Sequence, residues 1–194
     1  MTERSRPLRA DAARNRARVL QVAYETFAEE GATVPIDEIA RRAGVGAGTV
    51  YRHFPTKESL FQAIVADRMR QVVDRARAQA AADPGEGLYA FLFQMAEQGA
   101  SDLGLTDAFA GIGFDLAEAL PDAEHEFMGM MAEILDQAQR AGTVRADVTA
   151  ADIKTLIVGL QAMRRFRGDG ELMRRVYPVI RAGLAVPNPA ETST

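Results

Sequence analysis

Residues 33–58, TVPIDEIARRAGVGAGTVYRHFPTKE, leave the chain few ways to fold. Ile36, Ile39 and Ala40 recur at i, i+3, i+4 and give a short helix one buried face, with Asp37, Glu38, Arg41 and Arg42 outside. Gly44 ends that helix, because a residue without Cβ enters the left-handed region at little cost and lets the chain reverse at once. Val45 plugs the angle, Gly46 caps a second short helix, and Val50 and Phe54, four apart, point inward. The stretch therefore reads as two short helices joined by a tight turn and followed by the start of a long third.

The outward face of the second helix carries the chemistry. Thr49, Tyr51, Arg52 and His53 present hydroxyls, a guanidinium and an imidazole, with Lys57 at the next helix start, a set suited to phosphate oxygens and base edges. The alternative is the solvated face of an ordinary helical hairpin in an all-α enzyme or adaptor, which more often carries Glu, Lys and Gln.

The string IDEIARRAGVGAGTVYRHFPTKESLF resembles the N-terminal signature of TetR-type transcriptional regulators, and with the preceding helix the match covers about fifty residues. The family commonly has Ser where Gly46 stands; Gly is a weaker cap and removes one hydroxyl contact. The resemblance implies an all-α fold: a three-helix helix-turn-helix head, then a helical body for effector binding and dimerisation. On the head it implies that Thr33, Arg42, Tyr51, His53 and Lys57 hold phosphates, while Ala47, Gly48, Thr49 and Arg52 face bases. Ala47 and Gly48 carry no side-chain donors, so close approach and a thymine methyl contact would supply part of the readout.

The net charge of −4 taken alone opposes nucleic-acid binding, but its distribution does not. Residues 1–57 hold ten Lys and Arg against seven Asp and Glu, and six arginines fall in the first eighteen positions. A basic head on an acidic body suits a molecule of which one region meets phosphates. A basic disordered tail is the bland alternative. No apolar run spans a membrane and no secretory signal is visible at the N-terminus. The chain has no Cys, which excludes disulfides and thiolate metal sites and fits a reducing cytoplasm. Its two histidines, His53 and His125, leave little for a metal cluster, and no cofactor is expected.

Punctuation then divides the chain. Residues 1–9 read as a disordered arm, and a helix runs from about Asp11 to Glu30 on Val19, Leu20, Ala23 and Phe27, stopped by Gly31. Thr33 is the expected cap of the second helix, with Pro35 in its first turn. Thr56 caps a helix to about Ala82 with a stripe of Phe61, Val65, Met69 and Val72, ended by Asp83-Pro84-Gly85. The expected domains are 1–55, the reading head with its arm, 56–186, the body, and 187–194, a flexible tail. In the body, helices are expected on Leu88, Phe91, Leu92 and Met95, and over a looser stretch from Thr106 to Leu120. The next, from about Asp122 to Ala141, carries Phe127, Met130, Met131, Ile134 and Ala138. Thr149 to Asp152 caps another, with Ile153, Leu156, Ile157 and Leu160 on one face. The last runs from about Glu171 to Leu184 on Leu172, Val176, Val179 and Ile180, with Pro178 inside it.

Aromatic and Met residues concentrate between 88 and 131. Stripes at helical spacing are ordinarily core, yet Met-lined cavities repack around apolar ligands, and the resemblance places an effector site among the middle helices. Leu88, Phe91, Met95, Phe109, Phe114, Phe127 and Met131 are the expected ligand-binding residues. The resemblance likewise implies that the last two helices pair with those of a second copy through Ile153, Leu156, Ile157, Leu160, Val176 and Ile180. The resulting expectation is a cytoplasmic homodimeric repressor, not an enzyme. It would bind a palindromic operator in double-stranded DNA, with half-sites roughly 34–36 Å apart, and be released by a small hydrophobic effector. Its rivals are a DNA-binding regulator without small-molecule control and an all-α enzyme, the last lacking any visible catalytic constellation.

Overall fold

Four helices near the start of the chain hide their apolar stripes against one another, and a second set does the same further along. The computed structural model describes residues 5–97, 116–167 and 170–187, and among these every regular element is helical. By contact the chain divides into two units, Met1–Arg68 with Gly104–Leu120, and Met69–Leu103 with Pro121–Thr194.

In the first unit α1 is Ser5–Glu30, α2 is Ile36–Ala43, α3 is Ala47–His53, and the opening turns of α4, Lys57–Ala82, complete the packing. The first helix starts six residues before the expected Asp11. Pro7 falls in its first turn, where the missing N–H has no intrahelical partner to lose. Between α2 and α3, Gly44 lies at φ 67° and ψ 32°, its N–H donating to the Arg41 carbonyl and that of Val45 to the Ala40 carbonyl. This pair of bonds satisfies carbonyls left over at the end of α2 and needs the left-handed residue. Pro35, and not Thr33, occupies the cap position of α2, and no side chain caps it. Thr56 does cap α4: its Oγ1 accepts the Ser59 N–H and the Ser59 hydroxyl oxygen accepts the Thr56 N–H, both at 3.1 Å.

Into the middle of this unit go Leu20 and Phe27 from α1, Ile39 from α2, Val50 and Phe54 around α3, and Leu60, Phe61 and Ile64 from α4, all buried. The stripe of α4 thus differs from the one expected. Phe61 is buried, but Val65, Met69 and Val72 are only half-buried, and the deeper positions are Leu60 and Ile64 here and Val73, Ala76 and Ala80 in the second unit. The reason is that the two halves of the helix turn their buried faces to different cores. The first three turns of α4 pack with the head, so the division by contact runs at Arg68, beyond the start of the helix.

The second unit holds the rest of α4, then α5 at residues 87–97, α7 at Pro121–Arg140, α8 at Ala150–Arg167 and α9 at Gly170–Leu184. A single turn, α6 at Leu116–Ala119, precedes α7 in the chain but groups with the first unit. Asp83 Oδ1 accepts the N–H groups of Gly85 and Glu86 at 3.1 Å each and so forms the turn into α5. Thr149 and Asp152 cap α8 reciprocally, the Thr149 N–H donating to Asp152 Oδ2 at 2.9 Å and the Asp152 N–H to Thr149 Oγ1 at 3.3 Å. The core takes Leu88, Tyr89, Phe91 and Leu92 from α5, Met130, Met131, Ile134 and Leu135 from α7, and Ile153 and Ile157 from α8. Val179, expected on the apolar stripe of α9, is 70% exposed, while Val176 and Ile180 pack inward. Polar ties reinforce this unit: the Tyr89 hydroxyl donates to the Thr143 carbonyl at 2.9 Å, and the Tyr177 hydroxyl to the Tyr89 carbonyl at 2.8 Å. Arg181 stacks over the Tyr89 ring at 4.3 Å and pairs with Glu86.

Gly87 lets α5 lie directly on α4, since a Cβ there would stand 2.4 Å from the Ala80 Cα and 2.8 Å from its Cβ. Gly129 in α7 has nothing within 4 Å of the corresponding position. Gly87→Ala should therefore lower stability by about 1–3 kcal/mol, whereas Gly129→Ala should raise it by roughly 0.5–1 kcal/mol. Urea unfolding followed by circular dichroism will compare the midpoints; equal shifts for the two would contradict this packing.

Candidate nucleic-acid interface

Helix α3 is held from one side only. Val50 and Phe54 are buried in the head, and on the opposite side Gly48, Tyr51, Arg52 and His53 are exposed, with Ala47 and Thr49 half-buried. Tyr51 is 43% exposed, a high value for a phenol of a packed domain. Among the described residues neither Tyr51 nor Arg52 has a hydrogen-bond or ion-pair partner, so the phenol and the guanidinium project toward solvent with their donors free. An exposed phenol beside a guanidinium with free donors fits a polyanion with apolar base edges.

Two of the expected phosphate ligands, Lys57 and Arg42, are already engaged. Lys57 Nζ donates to the carbonyls of Ala32 at 2.8 Å and Thr33 at 3.3 Å, tying the start of α4 to the loop before α2. Arg42 pairs with Glu30 at the end of α1 and, through Nε at 2.7 Å, with Glu38. Arg41 forks onto the same Glu38 carboxylate at 2.7 and 2.6 Å. Hydrogen bonds from Arg41 and then Arg42 pull the Glu38 carboxyl down from the usual 4.5 to about 2. Arg42 likewise lowers Glu30. Thr33 is exposed beside this network, next to the carbonyl that Lys57 holds.

Two cations of α1, Arg16 and Arg18, stand beside α3 and the turn that precedes it. The Arg16 guanidinium lies over the Phe54 ring at 5.7 Å, and Arg18 Nη2 lies 3.7 Å from where a Gly44 side chain would begin. Their sequence signal is the periodicity of α1, which sets Asn15 and Arg16 one turn before the buried Val19.

The comparisons with known proteins bear on this arrangement. Residues 19–64 match the family described as bacterial regulatory proteins, tetR family, and residues 83–186 match the C-terminal domain of SbtR-like transcriptional regulators. A TetR transcription regulatory protein from Mycobacterium vanbaalenii is 56% identical in sequence, with a TM-score of 0.79 over 93% of this chain and 100% of that one. The chain belongs to the TetR family. It is a DNA-binding transcriptional regulator and not an enzyme. A TetR transcriptional regulator from Streptomyces coelicolor is 27% identical, with a TM-score of 0.74 over 89% of this chain and 99% of that one. An HTH-type transcriptional regulator of Staphylococcus aureus is 43% identical over 54 residues, which are 27% of this chain and 29% of that protein. The resemblance to that curated relative thus spans less than a third of its length.

In the body of this TetR-family protein, Leu88, Phe91 and Met131 are fully buried core residues, while Met95 and Phe127 are half-buried against them. The Phe91 and Phe127 rings lie 6.0 Å apart. Phe109 and Phe114 fall outside the described residues. Of the residues expected at a subunit interface, Ile153, Ile157 and Leu160 are buried within the protomer, and Leu156, Val176 and Ile180 are partly so. Among the described residues, the large apolar side chains left exposed on α8 and α9 are Val158, Met163 and Val179. No helix among the described residues is long and apolar enough to cross a membrane.

The Glu38 shift has a pH consequence. A carboxyl with a depressed folded-state value adds stability that is fully present above 4.5 and is lost as pH falls through about 2. Carbon-detected NMR should place the Glu38 titration near 2, and Glu38→Gln should flatten the fall of head stability between those values. A Glu38 midpoint near 4.5 would mean that the arginine forks do not persist in solution.

Proposed function

We propose that the protein is a homodimeric repressor that binds a palindromic operator through α3 and is released by a small hydrophobic effector taken up by the body. The observation that carries the proposal is the face of α3: Tyr51, Arg52 and His53 stand exposed on a helix that Val50 and Phe54 fix in the head. Tyr51 and His53 take phosphates, together with Thr33; Thr49 and Arg52 meet base edges, where Ala47 and Gly48 allow close approach. Lys57 and Arg42 act chiefly by fixing the loop and helix that carry Thr33, given the carbonyls and carboxylates that hold them. On α8 and α9, Ile153, Ile157 and Leu160 brace the helices from inside, and Leu156, Val176 and Ile180 join exposed Val158 and Val179 against a second copy. Release follows from an effector that prefers one setting of the two heads, and it shifts the equilibrium only by that difference in affinity. Leu88, Phe91, Met95, Phe109, Phe114, Phe127 and Met131 are the proposed effector contacts, in a cytoplasmic protein. The dense burial of Leu88, Phe91 and Met131 favours, as a second reading, a regulator with no small-molecule control.

Selection of bound fragments from the source genome at moderate salt tests the operator directly, since nonspecific phosphate binding fades with salt. A single enriched palindrome is expected; none, from a folded dimer, would refute the proposal. On that palindrome Tyr51→Ala should abolish tight binding and Arg52→Ala should cost roughly 1–3 kcal/mol, with sedimentation still reporting the dimer. Gly48→Ala is informative in another way. A Cβ there meets nothing within 4 Å, so thermal stability should hold or rise while operator binding falls, as close approach to DNA requires. Unchanged binding by Gly48→Ala would remove that position from the interface.

A further inference from the structure

The head contains a cleft of about 280 Å³ between the N-terminal half of α1 and the face of α3. Its floor is apolar, made by the buried side chains of Val19, Val50 and Phe54. Its rim is cationic. Arg16 stands over the Phe54 ring at 5.7 Å, Arg52 lines the other side from α3, and among the described residues neither guanidinium has an acid partner. The single carboxylate on the rim, Asp11, is already paired with Arg14. An apolar floor under two unspent guanidinia selects an amphiphilic anion, because a neutral molecule leaves the cations unused and an inorganic anion leaves the floor wet. The volume lies just under the range for drug-sized ligands and suits one ring, not several.

We propose that this cleft binds a small aromatic monocarboxylate, its carboxylate held by Arg16 and Arg52 and its ring laid on Val19, Val50 and Phe54. Thr49, Arg52 and His53 line the cleft and also belong to the face that meets DNA under the function proposed above, on which this consequence rests. The anion and DNA therefore exclude each other at the reading head itself, without any change passing through the body. By linkage, DNA lowers affinity for the anion as much as the anion lowers affinity for DNA.

The test is a titration of the ¹⁵N-labelled full chain with benzoate, with benzyl alcohol as a neutral probe of the same shape and acetate as an ionic-strength control. Saturable shifts are expected at the amides of Asn15, Thr49 and Arg52, with benzyl alcohol binding about tenfold or more weakly. Arg16→Gln should weaken benzoate about tenfold, and Ala12→Phe, at a solvent-exposed rim position, should block the cleft while leaving the helical content unchanged. No saturable shift at these amides, equal binding of benzyl alcohol, or unchanged benzoate affinity in both variants would overturn the site. On DNA selected from the genome, saturating benzoate should raise the Kd and acetate at equal ionic strength should not. Unchanged DNA affinity with the cleft saturated would overturn the competition. Failure to select any DNA would instead count against the repressor reading, and the benzoate titration would still decide the cleft.

Discussion

A helix of seven residues has almost no stability of its own in water, so the orientation of α3 depends on Val50 and Phe54 being buried among α1, α2 and α4. Each such burial contributes roughly 1.5–3 kcal/mol, more than the helix forms alone. The same two anchors decide which side chains are left outside. Rotation of α3 by one residue would bring Tyr51 inward and expose Val50, exchanging a satisfied core for a buried phenol without a partner. The exposed row of Tyr51, Arg52 and His53 is thus a consequence of apolar packing behind it.

Around that anchor the charges fall into two groups. Glu38 collects both Arg41 and Arg42, and Glu30 shares Arg42, so the end of α2 is fastened to the end of α1 by a surface network. Exposed ion pairs are individually weak, but a carboxylate forked by one arginine and touched by a second is geometrically fixed. Lys57 is similarly spent on two carbonyls. Arg16, Arg18 and Arg52 make up the second group, cations with no acid partner among the described residues and all on the side of α3. A net acidic chain in this way presents an unneutralised basic surface beside α3.

The body is organised by close approach and by polar closure. Gly87 brings α5 onto α4 at Ala80, and Tyr89 then sits between Thr143, Tyr177 and Arg181 with its hydroxyl satisfied. Desolvation raises the Tyr89 phenol above its ordinary value, as a neutral donor in a packed core requires. With those ties in place, Leu88, Phe91 and Met131 are interior residues of the protomer. Aromatic and Met richness, read along the chain, does not distinguish a packed interior from a ligand-lined one, because both use the same residues at the same spacing.

Much of the fold was written in local signals. Gly44 with its two capping bonds, Thr56 with Ser59, Thr149 with Asp152, and the 3.6-residue periodicity of α5, α7 and α8 all depend on neighbours within one or two turns. Such signals are legible because the interaction and the residues that make it are close in sequence. The family, too, was legible, since the signature sits in one stretch. What tertiary structure alone decided involves residues far apart: the partners of Arg42 and Lys57, the half-burial of Val65 and Met69 where α4 passes from one core to the other, and the exposure of Val179. The cleft between α1 and α3 belongs with these, since Arg16 reaches Phe54 only when α1 and α3 are packed together. Sequence specifies which faces must be buried; the folded chain determines which charges remain unpaired once they are.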